Sequence, residues 1–115
     1  MRRGDIYAVD LDPARGSATN KRRPAVIVGN DAANATAARL GRGVITVVPV
    51  TSSVDRVYPF QVLLPAVATG LDRDSKAQAE QVRSISVERL GSRLGVVPAA
   101  YMTELDERLR LHLGL

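Results

Sequence analysis

The feature that most limits how this chain can fold is a series of short, Val- and Ile-rich apolar segments with brief connections between them. Strands are predicted over residues 4–11 (GDIYAVDL), 24–29 (PAVIVG), 43–51 (GVITVVPVT), 58–64 (YPFQVLL) and 94–97. Most of the connections are too short to hold the crossover helix that joins two parallel strands. The sheet is therefore expected to be antiparallel, and a parallel α/β sheet is the weaker alternative.

One further strand is predicted over residues 75–85, SKAQAEQVRSI, where small apolar residues alternate with polar ones. In such a strand Ala77 and Ala79 face the core, while Gln78 and Glu80 face outward. A helical turn is expected after it.

Two helices are predicted. A short Ala-rich helix runs from Asp31, capped by Asn30, to about Leu40. Pro98 opens a terminal helix that Gly114 caps. The apolar stripe of this helix consists of Met102, Leu105, Leu109 and Leu113. Because antiparallel strands need their edges covered, the expected fold is mainly β with helices (α+β), a small partly open β-barrel closed by the terminal helix. At 115 residues the chain has room for one domain, residues 1–115.

Residue usage narrows the chemistry. The chain has no cysteine and one histidine, His112, which excludes thiol catalysis, disulfides and cysteine-based zinc sites and leaves no comfortable Ser-His-Asp triad. We interpret His112 as a packing or capping residue of the terminal helix. A catalyst here would use Arg, Lys, Ser, Thr, Tyr or carboxylates, and neither a metal nor a cofactor is expected.

The charge balance favours an anionic partner. Sixteen Lys and Arg against twelve Asp and Glu give a net charge of +4, which favours binding of nucleic acid. Aromatic residues make up 3% of the chain, so Tyr58, Pro59 and Phe60 are interpreted as strand and core residues rather than a base-stacking surface. The N-terminus lacks the apolar stretch of a signal peptide and no apolar run is long enough to span a bilayer, so a cytoplasmic protein without membrane contact is expected.

Two polar segments can combine into a phosphate site. If Arg23 opens the second strand and Thr51 closes the third, antiparallel pairing brings a guanidinium and a hydroxyl to the same end of the sheet. Arginine offers a fork of donors that matches phosphate oxygens, and the hydroxyl adds a neutral donor. On the residues alone, the alternative is that both are solvated loop residues.

Five ordered blocks of the sequence resemble those of the MazF/PemK toxins. They are DPARGS at 12–17, RPAVIV at 23–28, VPVTS at 48–52, YPFQV at 58–62 and EQVRSI at 80–85. The resemblance spans nearly the whole chain. It implies an SH3-like barrel of the MazF/CcdB/Kid type with a C-terminal helix, acting as a homodimer.

The resemblance also implies a function. These toxins are the endoribonuclease components of toxin–antitoxin systems, which arrest growth by cutting single-stranded RNA at short sequences without a metal. The RNA class stays open: mRNA is the first candidate, and rRNA and tRNA are the alternatives. Attack by the ribose 2′-OH leaves a 2′,3′-cyclic phosphate and a 5′-OH, and a MazE-like antitoxin neutralises the toxin.

Residue by residue, the family's conserved arginine falls on Arg23 and its catalytic threonine on Thr51. The base that takes the 2′-OH proton stays open: Glu80 is one candidate, and an outward carboxylate paired with Arg73 or Arg83 is the alternative. RNA-binding positions are expected at Gly16, Ser17, Asn20, Lys21, Arg22, Ser52, Ser53 and Gln81.

The chain departs from many relatives in its first loop. Ala18 stands where many relatives have an acidic residue, Lys21 stands where they have a glycine, and Arg22 replaces a histidine that some relatives carry. A more cationic loop is expected to give RNA binding that depends more steeply on salt, because each neutralised phosphate releases counterions.

Two other functions are open at this point. The chain could be a non-enzymatic toxin of the same fold that poisons a protein target. The related gyrase poisons rely on a C-terminal tryptophan, however, and this chain has none. It could also be an RNA-binding module with an inactive site.

Overall fold

A computed structural model describes residues 1–11 and 22–115 of the chain. In these residues the strands are β1 (Asp5–Asp10), β2 (Arg22–Ile27), β3 (Val44–Thr51), β4 (Gln61–Leu64), β5 (Ser75–Gln78), β6 (Arg83–Ser86) and β7 (Leu90–Val96). The helices are α1 (Asp31–Leu40), α2 (Ala66–Thr69) and α3 (Ala99–Leu113), with single 3-10 turns at Ala79–Gln81 and Val87–Arg89. None of the helices in this part of the chain is long and apolar enough to cross a membrane.

The strands form one antiparallel sheet in the order β4-β5-β3-β2-β1-β7, with β6 paired to the first half of β3. The two ends of this sheet meet. Gly95 of β7 lies against the carbonyl oxygen of Thr69 in α2, the helix that follows β4, and a Cβ at position 95 would collide with that oxygen. The expected antiparallel α+β fold is confirmed, and the alternative of a parallel α/β sheet is wrong.

Each face of the sheet carries its own apolar core. On one face, α3 covers side chains of β1 to β5 with Met102 and Leu105, and Leu105 is fully buried. On the other face, Ala37 of α1 packs with Ile27, Ile45 and other side chains of β1, β2, β3 and β6. Burying one such side chain stabilises the fold by about 1.5–3 kcal/mol.

The predicted helix ends are found. Asn30 accepts a hydrogen bond from the N–H of Ala33 at 2.8 Å and so caps α1. Gly114 ends α3 at φ 72°, a left-handed conformation that glycine adopts without steric cost. The predicted stripe of α3 is wrong at its last member, because Leu113 is 55% exposed on a final turn beyond the packed part of the helix.

Four predicted strands differ from the observed ones by two residues or more. β2 runs over residues 22–27 rather than 24–29. The strand predicted over 58–64 begins only at Gln61, because a tight turn precedes it: the Gln61 N–H donates to the carbonyl of Tyr58 at 2.9 Å. The strand predicted over 75–85 is broken by the 3-10 turn Ala79–Gln81, although Ala77 and Ala79 are buried as expected. The last strand begins at Leu90 rather than at residue 94.

The break between β5 and β6 follows from how both pair with β3. β6 pairs with residues 44–47 and β5 with residues 50 and 51. The intervening part of β3 contains Pro49, which has no N–H to give to a neighbouring strand. The chain crosses this interval in a 3-10 turn instead of continuing the ladder.

Candidate functional site

Arg23 and Thr51, predicted to meet at one end of the sheet, lie on the neighbouring strands β2 and β3. β2 and β3 pair Ala25 with Pro49, and in an antiparallel ladder each step along one strand matches one step back along the other. The observed pairing ends at this pair, and Arg23 and Thr51 lie two residues further along their strands, on the side that Ala25 and Pro49 face. Directly opposed residues point to the same face of a sheet, so the guanidinium and the hydroxyl share one face.

Thr51 is held at the end of β3. It pairs with Lys76 of β5, and its Oγ1 accepts a hydrogen bond from the backbone N–H of Ser53 at 3.2 Å. Because the oxygen accepts there, the hydroxyl hydrogen is the part of the group left to donate, and none of the described residues accepts it. Thr51 can therefore present a neutral donor to an anion.

Arg23 opens onto a polar groove of about 290 Å³. The lining residues in the described part of the chain are Leu11, Arg23, Pro49, Val50, Gln78, Gln81 and Arg83. Two guanidinium groups and two amides are thus gathered where Pro49 interrupts the ladder. This is a donor set that suits the phosphates and polar groups of a nucleic acid.

Sequence reasoning missed Lys76, a second cation next to Thr51. Lys76 is only 7% exposed, and its Nζ donates to the backbone carbonyl of Arg56 at 2.6 Å. The alternation of residues 75–78 was the available sign, because it places Lys76 on the same side of the strand as Gln78, which was predicted to face away from the core. The aliphatic part of the Lys76 side chain is therefore buried, and its ammonium group has a hydrogen-bond partner.

The interpretation of Tyr58, Pro59 and Phe60 as strand and core is wrong. Tyr58 is 41% exposed, Phe60 is half-buried and belongs to neither core, and all three residues precede β4. Proline favours the second position of a tight turn, so Pro59 was the available sign that the chain turns here.

The expected outward strand position of Glu80 is also wrong. Glu80 is half-buried in the 3-10 turn, and its Oε2 accepts a hydrogen bond from Nε2 of Gln61 at 2.8 Å, not from Arg73 or Arg83. Its Oε1 is buried, and no residue that the structure describes donates to it. Gln61, itself 5% exposed, is a second residue that sequence reasoning missed.

Of the predicted RNA-binding positions, Ser52 and Arg22 lie apart from the groove. Ser52 lines a separate cavity of about 230 Å³ with Pro24 and Arg73. The side chain of Arg22 lies against Gly91 of β7, whereas Arg23, the next residue, alternates to the other face.

The remaining predicted positions divide in two. Gln81 is exposed and lines the groove, although it lies in a 3-10 turn rather than a strand, and Ser53 is exposed beside Thr51. The predicted positions in the first loop, Gly16, Ser17, Asn20 and Lys21, lie outside the described residues.

His112 is not among the residues that line the groove in the described part of the chain. It is exposed on the last turn of α3 and Gly114 caps that helix, so the interpretation of His112 as a packing or capping residue is wrong. Within residues 1–11 and 22–115, no group of three or more His, Cys, Asp or Glu side chains could hold a metal ion.

Comparison with known proteins finds relatives that are named MazF endoribonucleases. The chain is 68% identical over 115 residues to endoribonuclease MazF9 of Mycobacterium tuberculosis, an alignment that covers 100% of this chain and 98% of the relative. It is 38% identical over 113 residues to endoribonuclease MazF6 of the same species, covering 98% and 96% of the two chains.

Solved structures share the fold. MazF from Deinococcus radiodurans superposes with a TM-score of 0.76 at 28% identity, over 100% of this chain and 97% of that one. A mycobacterial endoribonuclease in complex with its cognate antitoxin superposes with a TM-score of 0.75 at 25% identity, over 100% and 96%. The family described as PemK-like, MazF-like toxin of type II toxin-antitoxin system matches residues 2–113, and this chain belongs to that family.

Proposed function

We propose that this chain is a sequence-specific, metal-independent endoribonuclease toxin that cuts single-stranded RNA, above all mRNA, and so inhibits growth. The observation that carries the proposal is that Arg23 and Thr51 lie on the same face of the neighbouring strands β2 and β3, with Arg23 and Arg83 lining one groove. The relatives named above as endoribonucleases support the same activity.

The proposed reaction needs only groups that RNA and the protein supply. The ribose 2′-oxygen attacks the adjacent phosphorus and loses its proton to a base. A bond from phosphorus to the 2′-oxygen forms, the bond to the 5′-oxygen breaks, and the leaving oxygen takes up a proton. The products are a 2′,3′-cyclic phosphate and a 5′-OH. The step consumes no water and needs no metal.

Arg23 and Thr51 are proposed to stabilise the charge that develops on the pentavalent phosphorane. A guanidinium stays protonated at neutral pH and is a poor base, so the role of Arg23 is electrostatic. The Thr51 hydroxyl adds a neutral hydrogen bond to the same oxygens. Removing one such donor from a site of this kind costs about 10²–10³-fold in rate.

The RNA chain is proposed to extend from the groove over the loops beside it. Gln81 and Ser53 stand at the groove and at Thr51. Ser52 and Arg22 would contact nucleotides further along the strand, as would Gly16, Ser17, Asn20 and Lys21 of the first loop.

The partners are proposed from the family. A MazE-like antitoxin would cover the groove, as an acidic segment laid over Arg23 and Arg83 would do; the solved mycobacterial relative in complex with its cognate antitoxin supports this. A homodimer is proposed as well, since Val96 of β7 and Leu111 and Leu113 of α3 are exposed apolar side chains that an interface would cover. RNA as substrate implies action in the cytoplasm.

The test is to incubate the purified protein with several long single-stranded RNAs in excess EDTA and to determine the fragment ends. Discrete cuts with 2′,3′-cyclic phosphate and 5′-OH ends, lost in Arg23→Ala but kept in Arg39→Ala, are expected. Arg39 is a matched control because it is an exposed arginine on α1. No cuts by a folded wild-type protein would contradict the proposal and favour a protein-poisoning toxin or an inactive RNA-binding module.

A further inference from the structure

Tyr58 and Phe60 form an aromatic pair beside the candidate site that the proposed chemistry does not use. Their ring centroids lie 5.3 Å apart and the ring planes differ by 1°. Tyr58 is 41% exposed. An aromatic side chain kept at the surface of a nucleic-acid-binding protein is a platform on which a base can stack.

Positive charge surrounds this pair. Lys76 Nζ lies 5.6 Å from the centroid of the Tyr58 ring, and the guanidinium carbon of Arg56 lies 5.7 Å from it. Lys76 also pairs with Thr51 across neighbouring strands, so this one residue connects the aromatic pair to the strand end that carries Thr51.

The turn that presents the pair is closed twice by Gln61. The backbone N–H of Gln61 donates to the Tyr58 carbonyl at 2.9 Å, and the backbone N–H of Tyr58 donates to Oε1 of Gln61 at 3.1 Å. The second contact requires the Gln61 amide to point its oxygen at Tyr58 and its nitrogen the other way.

Glu80 sets that orientation. An ionised carboxylate can only accept hydrogen bonds, and Oε2 of Glu80 takes the one from Nε2 of Gln61 at 2.8 Å. Reversing the amide would face two acceptors toward each other and leave the Tyr58 N–H without its partner. Glu80 therefore fixes the Gln61 amide, and the amide fixes the turn.

The same contacts argue against Glu80 as the base. One carboxylate oxygen is engaged by Gln61 and the other is buried, whereas a general base must come within hydrogen-bonding reach of the proton it takes. Gln78 and Gln81 line the groove on either side of Glu80 in the sequence, and Glu80 is not one of the lining residues in the described part of the chain.

We propose that Glu80 is a positioning residue, which acts through Gln61 to hold the Tyr58–Phe60 pair as the stacking site for one base of the RNA substrate. The proposal rests on the proposed function in taking RNA as the ligand. It assigns Tyr58 a part in substrate binding and Glu80 no proton transfer.

The stacking half is tested with single-stranded RNA oligonucleotides that carry 2′-O-methyl groups, so that they bind without being cut, and 2-aminopurine at one position at a time. Stacking quenches this fluorescent base. At one position, Tyr58→Ala is expected to restore the fluorescence and to weaken binding by about tenfold or more. Val67→Ala, an apolar truncation at a residue 98% exposed on α2, is expected to change neither.

The positioning half is tested by Glu80→Ala and Gln61→Ala against the conservative Glu80→Gln. The amide introduced by Glu80→Gln keeps a carbonyl that can accept from Gln61, so fluorescence quenching, KM and kcat are expected to stay within a few-fold of wild type. The two alanine variants are expected to lose quenching at the position that Tyr58→Ala identifies and to raise KM more than they lower kcat. Melting temperatures and circular dichroism check that each variant folds. If Glu80→Ala or Gln61→Ala does not fold, the results with Tyr58→Ala and Glu80→Gln decide whether the proposal holds.

Three results would overturn the inference. Quenching that survives Tyr58→Ala at every position removes the stacking site. Loss of kcat in Glu80→Gln with quenching intact makes the carboxylate a proton-transfer group. Absence of oligonucleotide binding by the wild type removes both this inference and the proposed function, whereas binding and quenching without cleavage of unmodified RNA would contradict the proposed function alone.

Discussion

The two halves of β3 serve different purposes. Residues 44–47 pair with β6, and Val47 and Val48 are fully buried in the two cores. Residues 50 and 51 pair with β5. Thr51 ends the strand on the face that Arg23 shares, and Val50 rather than Thr51 lines the groove in the described part of the chain. One strand thus anchors the cores at its start and presents polar groups at its end.

Pro49 marks the change between the halves. It stands opposite Ala25 at the last observed pair between β2 and β3, and a proline cannot donate to a ladder. Pro49 itself lines the groove, together with Arg23 and Arg83. Substitutions of buried residues, which include Val50 in the second half, are therefore expected to act on stability, and substitution of Thr51 is expected to act on activity.

The largest expected effect compares Ile45→Ala with Thr51→Ala. Ile45 is 3% exposed in the core beneath α1, so its truncation is expected to lower the free energy of unfolding by about 2–5 kcal/mol. Thr51→Ala is expected to change it by less than about 1 kcal/mol and to slow cleavage instead. Urea denaturation of both variants measures this, and equal destabilisation would break the distinction between the halves.

A second prediction concerns Gly95, on which closure of the barrel depends. Gly95→Ala places a methyl group against the backbone carbonyl of Thr69, which cannot move as a side chain can. A loss of about 1–3 kcal/mol in the free energy of unfolding is expected. Gly43→Ala would be a poor control because of its positive φ, so the comparison is with wild type and Val67→Ala. A Gly95→Ala variant as stable as wild type would mean that the two ends of the sheet do not meet as described.

A third prediction concerns the groove. Arg83 pairs with Val47 in the first half of β3, yet its side chain lines the groove. If it contacts a phosphate, Arg83→Ala is expected to weaken RNA binding across sequences and to reduce the slope of log K against log[salt] by about 1. The wild-type slope is itself expected to be steep because of the cationic first loop with Lys21. A slope that is the same in Arg83→Ala and wild type would place Arg83 outside the phosphate path.

The smallest expected effect is on the stability of the protein at acidic pH. The backbone N–H of Arg3 donates to Asp31 at 2.7 Å and holds the pKa of that carboxyl below its ordinary value of 3.8. A lowered pKa in the folded state stabilises the protein above that ordinary value, and the stabilisation is lost as the pH falls through the folded-state pKa. Asp31 is exposed, so the contribution is small. Asp31→Asn is expected to reduce the fall in melting temperature that the wild type shows below about pH 4. The element that this fall would loosen is α1, which packs over the first half of β3.

Much of this fold could be predicted from the chain. Alternating β-branched segments and local caps such as Asn30 and Gly114 depend on nearby residues alone, and these predictions are confirmed. The resemblance to the MazF/PemK toxins is likewise confirmed.

What could not be predicted depends on contacts between distant segments. The amide of Gln61 reaches Glu80 nineteen positions away, and this contact decides both where β4 begins and which way Glu80 points. Alternation indicates only the side of β5 on which Lys76 lies; its burial depends on the position of β5 between β3 and β4 and on its contact with Arg56, twenty positions away. The exposure of Leu113 likewise depends on where the sheet beneath α3 ends, which helical periodicity does not reveal.

Whether Arg23 and Thr51 act together on one phosphate is tested most directly by a double-mutant cycle under single-turnover conditions. Cleavage rates are measured for wild type, Arg23→Ala, Thr51→Ala and the double variant, with Thr51→Ser and Thr36→Ala as controls. We expect that each single alanine variant loses about 10²–10³-fold, that the double variant loses much less than the product of the two losses, and that Thr51→Ser and Thr36→Ala stay active. Fully multiplicative losses, or cleavage at the wild-type rate by either single alanine variant, would contradict joint action on one phosphate.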